Sequence, residues 1–428
     1  MQTSTQTIVN ERLLQYIWQF QLFNTQQLKT TDGLPVQILH AGTFNQNQGP
    51  DFSEGRIRIA DTLWIGHVEL HVRSSDWNKH QHNGDSNYQP VILHVVWEED
   101  IKVNTIPVLE LNGLVAKRLL ERYEQLHNHP SFIPCEQLIT PLPTLIWQSW
   151  RDRLLIERLD RKEEHILQLL QQNRYSWEET CWWLLARNFG MKVNADAFEA
   201  IAQSIPLSML ARQKHSLLQL EALLLGQAGL LTGNYTHNYP KQLQQEYTAL
   251  AHKYDLRPIL FPLHLLRMRP VNFPTIRLAQ LASLLFERQH LFASFRDSRH
   301  PRDIRRLLDI KASAYWNDHY LFDEPSTACE KKVGSMLCNS VIINTLSPLL
   351  YTYGHYHKKQ ELIERAVDWL SELLPENNQI VSSYARLGIP AGDAADTQAM
   401  LEMKKSYCTH YRCLDCSIGN HLLRAKEK

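Results

Sequence analysis

Two acidic residues and a histidine have types and spacing that could cleave phosphodiesters. Asp51 follows Pro50, and Glu69 and His71 come later in the apolar segment 63–72. If that segment is a strand, Glu69 and His71 project from the same face. Two carboxylates can hold Mg²⁺ or Mn²⁺, and an imidazole can accept a proton from water. We therefore interpret Asp51, Glu69 and His71 as catalytic, with Glu11 as a further acid on the opening helix.

The spacing of these residues resembles the PD-(D/E)xK nuclease signature, with His71 where those nucleases have lysine. The resemblance implies that Asp51 and Glu69 bind the cation and that His71 handles the attacking water. A histidine that also ligates the metal would shift the preference from Mg²⁺ towards Mn²⁺ or a later transition metal. The alternative is structural: Asp51 is then a turn residue, and Glu69 and His71 lie on the solvated face of a half-buried strand.

A second polar group follows directly, in the segment that contains His80, His82 and Asp85. Imidazole and carboxylate are suitable ligands for Zn²⁺, Mn²⁺ or Fe²⁺. These side chains could belong to the same site as Glu69 or to a separate zinc hydrolase centre. Histidine, Asp and Asn also form local hydrogen-bonded turns. His94, in the next apolar segment, is expected to be a packed strand residue.

A third group consists of cysteines: Cys408, Cys413 and Cys416 near the C-terminus, and Cys135 far upstream. Three thiols so close together in a reducing compartment indicate a metal site, either Zn²⁺ or a [4Fe–4S] cluster. The arrangement partly resembles the iron–sulfur nucleases of the PD-(D/E)xK class, in which the lone cysteine precedes the catalytic motifs instead of following them. His410 is an alternative fourth ligand for zinc, and buried reduced thiols are the structural alternative.

The elements that must position these residues are a helix and several short strands. Residues 8–23 have apolar positions at helical spacing, and the later segments alternate as strands do. The predicted strands are 36–40, 56–60, 63–72, 91–97 and 106–111. The PD-(D/E)xK core has the same order of elements: a helix, three strands, a short helix and a further strand. We therefore expect residues 1–130 to form a restriction-endonuclease-like α/β domain.

A proline-rich segment predicts a domain boundary. Proline lacks a backbone donor and disfavours both helix and central strand, so we interpret residues 131–143 as a linker. Helical periodicity dominates beyond it, which predicts a larger all-α domain over residues 144–428 that ends in the cysteine cluster. The expected class is therefore α+β.

Composition excludes few functions. The chain has 45 Lys and Arg, 45 Asp and Glu and 43% hydrophobic residues, which is typical of a globular protein. No apolar run is long enough for a membrane helix, and the N-terminus lacks a signal-peptide pattern, so we expect a cytoplasmic protein with reduced thiols and no membrane partner. The sequence has no Walker A, GxGxxG, GxSxG or HExxH motif. This argues against an NTPase, a dinucleotide oxidoreductase, an α/β-hydrolase and a zincin.

The region 253–311 is more basic than the rest of the chain and could guide a nucleic-acid backbone. The alternative is a solvated helix face on which the basic residues pair with Asp297, Asp303 and Asp309. The residues predicted to bind substrate are Arg269, Arg277, Arg299, Arg302 and Arg306.

Several long motifs resemble the bacterial family known as domain of unknown function 2851. The segments that carry the resemblance are GPDF (49–52), 64–96, 184–199, 269–282, 343–354 and 407–419. This resemblance implies no activity, so the function must be inferred from the candidate sites. The leading hypothesis is a divalent-metal-dependent nuclease acting on DNA or RNA. The alternatives are a non-catalytic nucleic-acid-binding or scaffold protein with a structural metal, and a histidine-rich metallohydrolase acting on a small molecule.

Overall fold

The fold is described by a computed structural model for residues 9–45, 48–80, 85–103, 105–126, 131–139, 142–265 and 269–425. It is a mixed α+β protein, 55% helical, with its sheet in the N-terminal part and a helical C-terminal region. The chain divides into two units: Met1–Trp150 with Met403–Lys428, and Arg151–Glu402. The sequence analysis assigns residues 403–428 to the helical domain, whereas in the structure they group with the N-terminal residues.

The first unit is built on one mixed sheet. Its strands are β1 (Val36–His40), β2 (Thr43–Phe44), β3 (Phe52–Ile59), β4 (Thr62–Arg73), β5 (Val91–Glu98) and β6 (Val108–Glu110). The order across the sheet is β1-β3-β4-β5-β6, with β2 paired to β3. The pairs β1/β3 and β3/β4 are antiparallel, and the pairs β4/β5 and β5/β6 are parallel.

The burial of each strand follows from its place in the sheet. Strand β3 alternates, with Ile57 and Ile59 buried and Arg56 and Arg58 exposed, as expected for a sheet with one solvated face. Strand β5 is buried continuously from Val91 to Val96, because it lies between two parallel neighbours and is covered on both faces. The sequence predicts both strands from these two patterns.

The opening helix α1 (Glu11–Gln19) packs its apolar face on the first unit. The side chain of Asn10 caps the helix by accepting a hydrogen bond from the Leu13 amide at 2.9 Å. Leu13, Ile17 and Trp18 are completely buried, and the Trp18 indole donates to the Ala41 carbonyl at 3.0 Å. The rotation of the helix is thereby set, and with it the direction of Glu11 and Gln15.

The parallel pair β4/β5 needs a crossover connection. The described part of this connection contains a short helix, α2 (Asp76–Lys79), and a 3₁₀ turn at Ser86–Tyr88. Trp77 on α2 is 2% exposed and anchors the connection to the sheet. The next helix of the unit is α3 (Lys117–Gln125).

The second unit consists mainly of helices. They are α4 (Thr144–Gln172, which begins in the first unit), α5 (Trp177–Phe189), α6 (Met191–Ser204), α7 (Leu207–Arg212), α8 (Leu217–Gln227), α9 (Asn238–Tyr254), α10 (Pro274–Glu287), α11 (Leu291–Asp297), α12 (Pro301–Leu307), α13 (Ser335–Val341), α14 (Ser347–Tyr356), α15 (Gln360–Ser371), α16 (Gln379–Arg386) and α17 (Ala394–Glu402). Helix α10 is buried on nearly all sides and is central to the core. A two-stranded sheet joins β7 (His319–Leu321) to β8 (Glu324–Pro325). Among the described helices, none has the length and apolar character needed to cross a bilayer.

The C-terminal residues belong to the first unit through specific contacts. The last helix, α18 (Ser417–Arg424), contacts α3, and Arg122 of α3 donates to the Ala425 carbonyl at 2.6 Å. The Arg424 guanidinium lies 3.8 Å from the centre of the Phe20 ring. Such pairings join residues hundreds of positions apart, so local periodicity in the sequence carries no sign of them.

Candidate functional site

The structure brings Asp51 and Glu69 together across the β3/β4 pair. Phe52 is the register partner of Val68, so Asp51, one residue before β3, comes next to Glu69. The Asp51 amide donates to Oε2 of Glu69 at 3.0 Å, and the Leu70 amide donates to Oδ2 of Asp51 at 3.0 Å. Each carboxylate is therefore held by an amide of the other strand, and the two are neighbours.

Helix α1 contributes two polar side chains to the same place. Gln15 donates from Nε2 to Oδ1 of Asp51 at 2.7 Å. Glu11 lies one turn earlier on the same helix face. Ligand atoms of Glu11, His71 and His80 all lie within 4.8 Å of one another. The position of Glu11 is thus consistent with its predicted role as a further acid of the site. Gln15 was not predicted, although it lies four residues after Glu11 and therefore shares its helix face.

Three histidines form a hydrogen-bonded chain beside the carboxylates. Nδ1 of His71 lies 2.9 Å from Nε2 of His94, and Nε2 of His71 lies 3.1 Å from Nδ1 of His80. His71 and His94 are 1% and 0% exposed, and His80 is exposed. A neutral His71 has one N–H, so it donates to one neighbour and accepts from the other. If donor and acceptor exchange roles in both hydrogen bonds, a proton moves from His94 through His71 to the exposed His80.

The three histidines lie against the carboxylates and against the crossover connection between β4 and β5. Nε2 of His71 is 3.6 Å from Oε1 of Glu69. The Trp77 ring packs against His71, His94 and Tyr88, with centroid separations of 6.4, 5.1 and 6.3 Å. His94 is buried, as expected, but it is also hydrogen-bonded to His71, a role that sequence reasoning missed. Its place on the strand parallel to β4 brings it there.

The carboxyl groups have strongly raised pKa values. Burial is the main cause of the rise in the pKa of Glu69 to about 8, and the charges of Asp51 and Glu11 raise it further. Burial also raises the pKa of Asp51 to about 6, although the bonds from Leu70 and Gln15 lower it. Acidic groups are concentrated here, and among the residues that the structure describes no Lys or Arg contributes to either shift. A divalent cation would supply that compensation.

The donor set fits a divalent metal ion. Carboxylate oxygens have about two lone pairs each, so the observed bonds to Asp51 and Glu69 leave positions for coordination. The imidazoles of His71 and His80 add nitrogen donors near Glu11. Mixed oxygen and nitrogen donors suit Mn²⁺, Fe²⁺ or Zn²⁺ better than Mg²⁺. The replacement of lysine by His71 therefore affects which metal the site would select.

The remaining residues of the second predicted group have different outcomes. Oδ1 of Asp85 accepts a hydrogen bond from the Asn87 amide at 2.9 Å, which is the local turn that the structural alternative describes. Asp85, Asp51 and Glu69 all raise the pKa of Tyr88, whose shift is due chiefly to burial. His82 lies outside the described residues.

The predicted substrate-binding arginines lie in the helical unit. Arg277 on α10 is 6% exposed, and its guanidinium donates to Gln280 at 2.8 Å and to Asn272 at 2.6 Å. Burial lowers its pKa to about 10. The substrate-binding interpretation of Arg277 is corrected accordingly, because its guanidinium is buried and donates to Gln280 and Asn272 instead of facing solvent. Substrate binding remains a prediction for the four exposed arginines: Arg269, Arg299, Arg302 and Arg306.

A cavity of about 500 Å³ in the helical unit also has basic walls. Two of its cations are already paired, Arg161 with Glu402 and Arg187 with Glu199. Nζ of Lys162 lies 3.3 Å from Oδ1 of Asn344. Arg161, Arg187 and Lys162 therefore already have partners within the protein, and none of the described residues that line the cavity is a carboxylate.

Comparison with known proteins identifies a family. Its model, described as "Protein of unknown function (DUF2851)", matches residues 11–379. The matched range includes Glu11, Asp51, Glu69 and the three histidines. No curated protein and no solved structure matches the chain.

Proposed function

We propose that this chain, which belongs to the DUF2851 family, is a divalent-metal-dependent phosphodiesterase that acts on DNA or RNA. One observation carries the proposal: Asp51 and Glu69 are hydrogen-bonded neighbours, with Glu11, His71 and His80 gathered beside them. The raised pKa values of Asp51 and Glu69 agree with a site that takes up a cation.

The order of elements supports a nuclease-like core. A helix precedes an antiparallel meander of β1, β3 and β4, in which the two-residue β2 also pairs with β3, and a short helix then leads to β5, which is parallel to β4. Asp51 lies just before β3, and Glu69 and His71 lie on β4. This order agrees with the one expected from the PD-(D/E)xK resemblance and supports the proposal.

In the proposed reaction, Asp51 and Glu69 would hold the cation, Glu11 would add negative charge beside them, and His71 and His80 stay unligated. A bound divalent cation would stabilise charge on the phosphate and lower the pKa of the attacking water. The water oxygen forms a bond to phosphorus, and its proton passes to His71. The bond from phosphorus to the leaving oxygen breaks, and that oxygen takes a proton from solvent. His71 can return its proton to solvent through His80, the exposed member of the chain.

Burial of the site limits what can enter. Glu69 is 6% exposed and His71 is 1% exposed, so a continuous duplex cannot lie flat against both. A flexible single strand, or the end of one, can present a single phosphate. We therefore expect single-stranded substrates to be cleaved faster than duplexes.

The test uses metal-stripped protein supplied with Mn²⁺ or Mg²⁺ and labelled single- and double-stranded DNA and RNA. Asp51→Asn and Glu69→Gln are expected to reduce the rate at least ~100-fold, since each removes a charge that holds the cation. Asp61→Asn, on the exposed turn between β3 and β4, is the matched control and should retain activity.

The other hypotheses predict different outcomes. Salt-dependent binding of nucleic acid without turnover under any metal would favour the scaffold role. Hydrolysis of bis(p-nitrophenyl) phosphate with no cleavage of nucleic acid would favour a small-molecule metallohydrolase. Activity that survives both Asp51→Asn and Glu69→Gln would rule out this site as the catalytic centre.

A further inference from the structure

We propose that Cys135, Cys408, Cys413 and Cys416 together hold a [4Fe–4S] cluster in the first unit, at a place separate from the carboxylate site. The inference starts from their placement. Cys135 lies in the described segment 131–139, whereas the other three lie in the returning C-terminal segment. All four are buried, with exposed fractions of 9% or less.

The four sulfurs converge although their sequence positions are far apart. Cys408, Cys416 and Cys413 all act electrostatically on Cys135, and Cys416 and Cys408 act on Cys413. Burial is the main cause of the raised pKa of each of these two thiols, and the neighbouring sulfurs raise it further. All four cysteines are thiols, so a disulfide does not account for their proximity. His410, the alternative fourth ligand, is exposed, which favours Cys135.

Polar groups lie around the sulfur of Cys416, the N-cap residue of α18. Burial raises the pKa of the Cys416 thiol to about 12, and the Gly419 and Ile418 amides and the Trp150 side chain lower it. A Cβ at Gly419 would lie 2.2 Å from the Cys413 carbonyl oxygen, so only glycine allows this close turn. Donors directed at a buried sulfur stabilise the charged form, which is the form that ligates metal.

The spacing of the cysteines in the sequence favours an iron–sulfur cluster over one zinc ion. Structural zinc sites commonly take their ligands as two close pairs. Cys408, Cys413 and Cys416 instead form a C-x₄-C-x₂-C group with one distant cysteine, a pattern that recurs in iron–sulfur proteins.

Such a centre would fasten the C-terminal return to the segment around Cys135. These two stretches already meet where Lys404 donates to the Phe132 carbonyl, with its ammonium 4.9 Å from the centre of the Phe132 ring. Both belong to the first unit. A bond through metal would add a covalent constraint between residues that are separated by most of the chain length.

The test is metal analysis of the full chain purified without oxygen. Wild-type protein is expected to contain about four iron and four sulfide per chain and to show the broad visible absorbance of a [4Fe–4S] cluster. Cys135→Ala and Cys413→Ala should lose most of the iron and the absorbance band. Cys338→Ala is the control, because Cys338 is equally buried but lies in the helical unit. Asp51→Asn should also keep its iron, which separates this test from that of the proposed function.

Three results would overturn the assignment. They are one zinc per wild-type chain that Cys413→Ala loses and Asp51→Asn keeps, wild-type protein without iron and sulfide, and full iron and sulfide content in Cys135→Ala. The wild-type measurement needs no variant, so the proposal can be tested even if the alanine variants fold poorly.

Discussion

At the scale of single residues, the distinctive feature is a pair of neighbouring carboxyl groups, a half-buried Asp51 and a buried Glu69. Hydrogen bonds from backbone amides favour their charged forms, but burial outweighs these bonds and raises both pKa values, and the charge of Glu11 adds to both shifts. Without a cation, the folded protein keeps protons that the unfolded chain would release. A cation would replace those protons, so metal binding and proton release are coupled.

This coupling predicts how stability depends on pH. The pKa of Glu69 rises from 4.5 to about 8 on folding, so its contribution is fully present below pH 4.5 and is lost as the pH rises through 8. Between pH 5 and 8, metal-free wild type should lose ~3 kcal/mol of unfolding free energy relative to Glu69→Gln. Urea unfolding of both proteins across this range measures the difference.

Added Mn²⁺ should reverse the trend in the wild type, because a cation that binds only the folded state stabilises it. Glu69→Gln should respond less to Mn²⁺, and Asp61→Asn should behave as wild type. If the difference between wild type and Glu69→Gln is constant from pH 5 to 8, the buried-carboxyl explanation is wrong.

At the scale of secondary structure elements, the site depends on the close approach of β4 to the end of the crossover before β5. Gly66 marks this approach: a Cβ there would lie 2.4 Å from the Pro90 carbonyl oxygen and 2.5 Å from Cγ2 of Ile92. The His67 amide donates to the same carbonyl at 2.9 Å. The register that follows brings Glu69 opposite His94 and His71 opposite Val96.

Gly66→Ala is therefore expected to destabilise the first unit by about 3 kcal/mol, since the strands must separate to admit a methyl group. Urea unfolding measures the loss. Gly334→Ala is the control, because a Cβ at Gly334 meets nothing within 4 Å. A Gly66→Ala protein as stable as the wild type would show that β4 and β5 approach less closely than described.

At the scale of the whole molecule, the first unit is discontinuous in sequence. The described residues of 403–428 return to it and provide α18, three of the four clustered cysteines and the partners of Arg122 and Phe132. The N-terminal residues therefore lack part of their packing until the end of the chain has been made.

Truncation after Glu402 should accordingly destabilise the first unit and leave the core of the second intact. We expect the unfolding transition of the first unit to shift down by roughly 5 °C or more. Limited proteolysis with mass spectrometry would locate the first cleavages within residues 9–150. Equal protease resistance of the truncated and full-length chains would contradict the discontinuous unit.

The sequence by itself determined what is local. Alternating and continuous apolar runs predicted the strands, because side-chain direction depends on a period of two, and the interval between Asp51 and Glu69 predicted that these two carboxylates are neighbours. The roles of Gln15 and His94 could not be predicted in this way. They follow from the rotation of α1 on the sheet and from the parallel pairing of β4 with β5.

Only the tertiary structure decided which distant residues meet. Arg277 looked like a phosphate ligand because helical spacing shows which residues share a face but not whether another helix covers that face. The return of α18 to α3 was equally hidden, because a contact between residues 300 positions apart leaves no periodic trace. Packing free energy selects such contacts, and it depends on the shape of the assembled core.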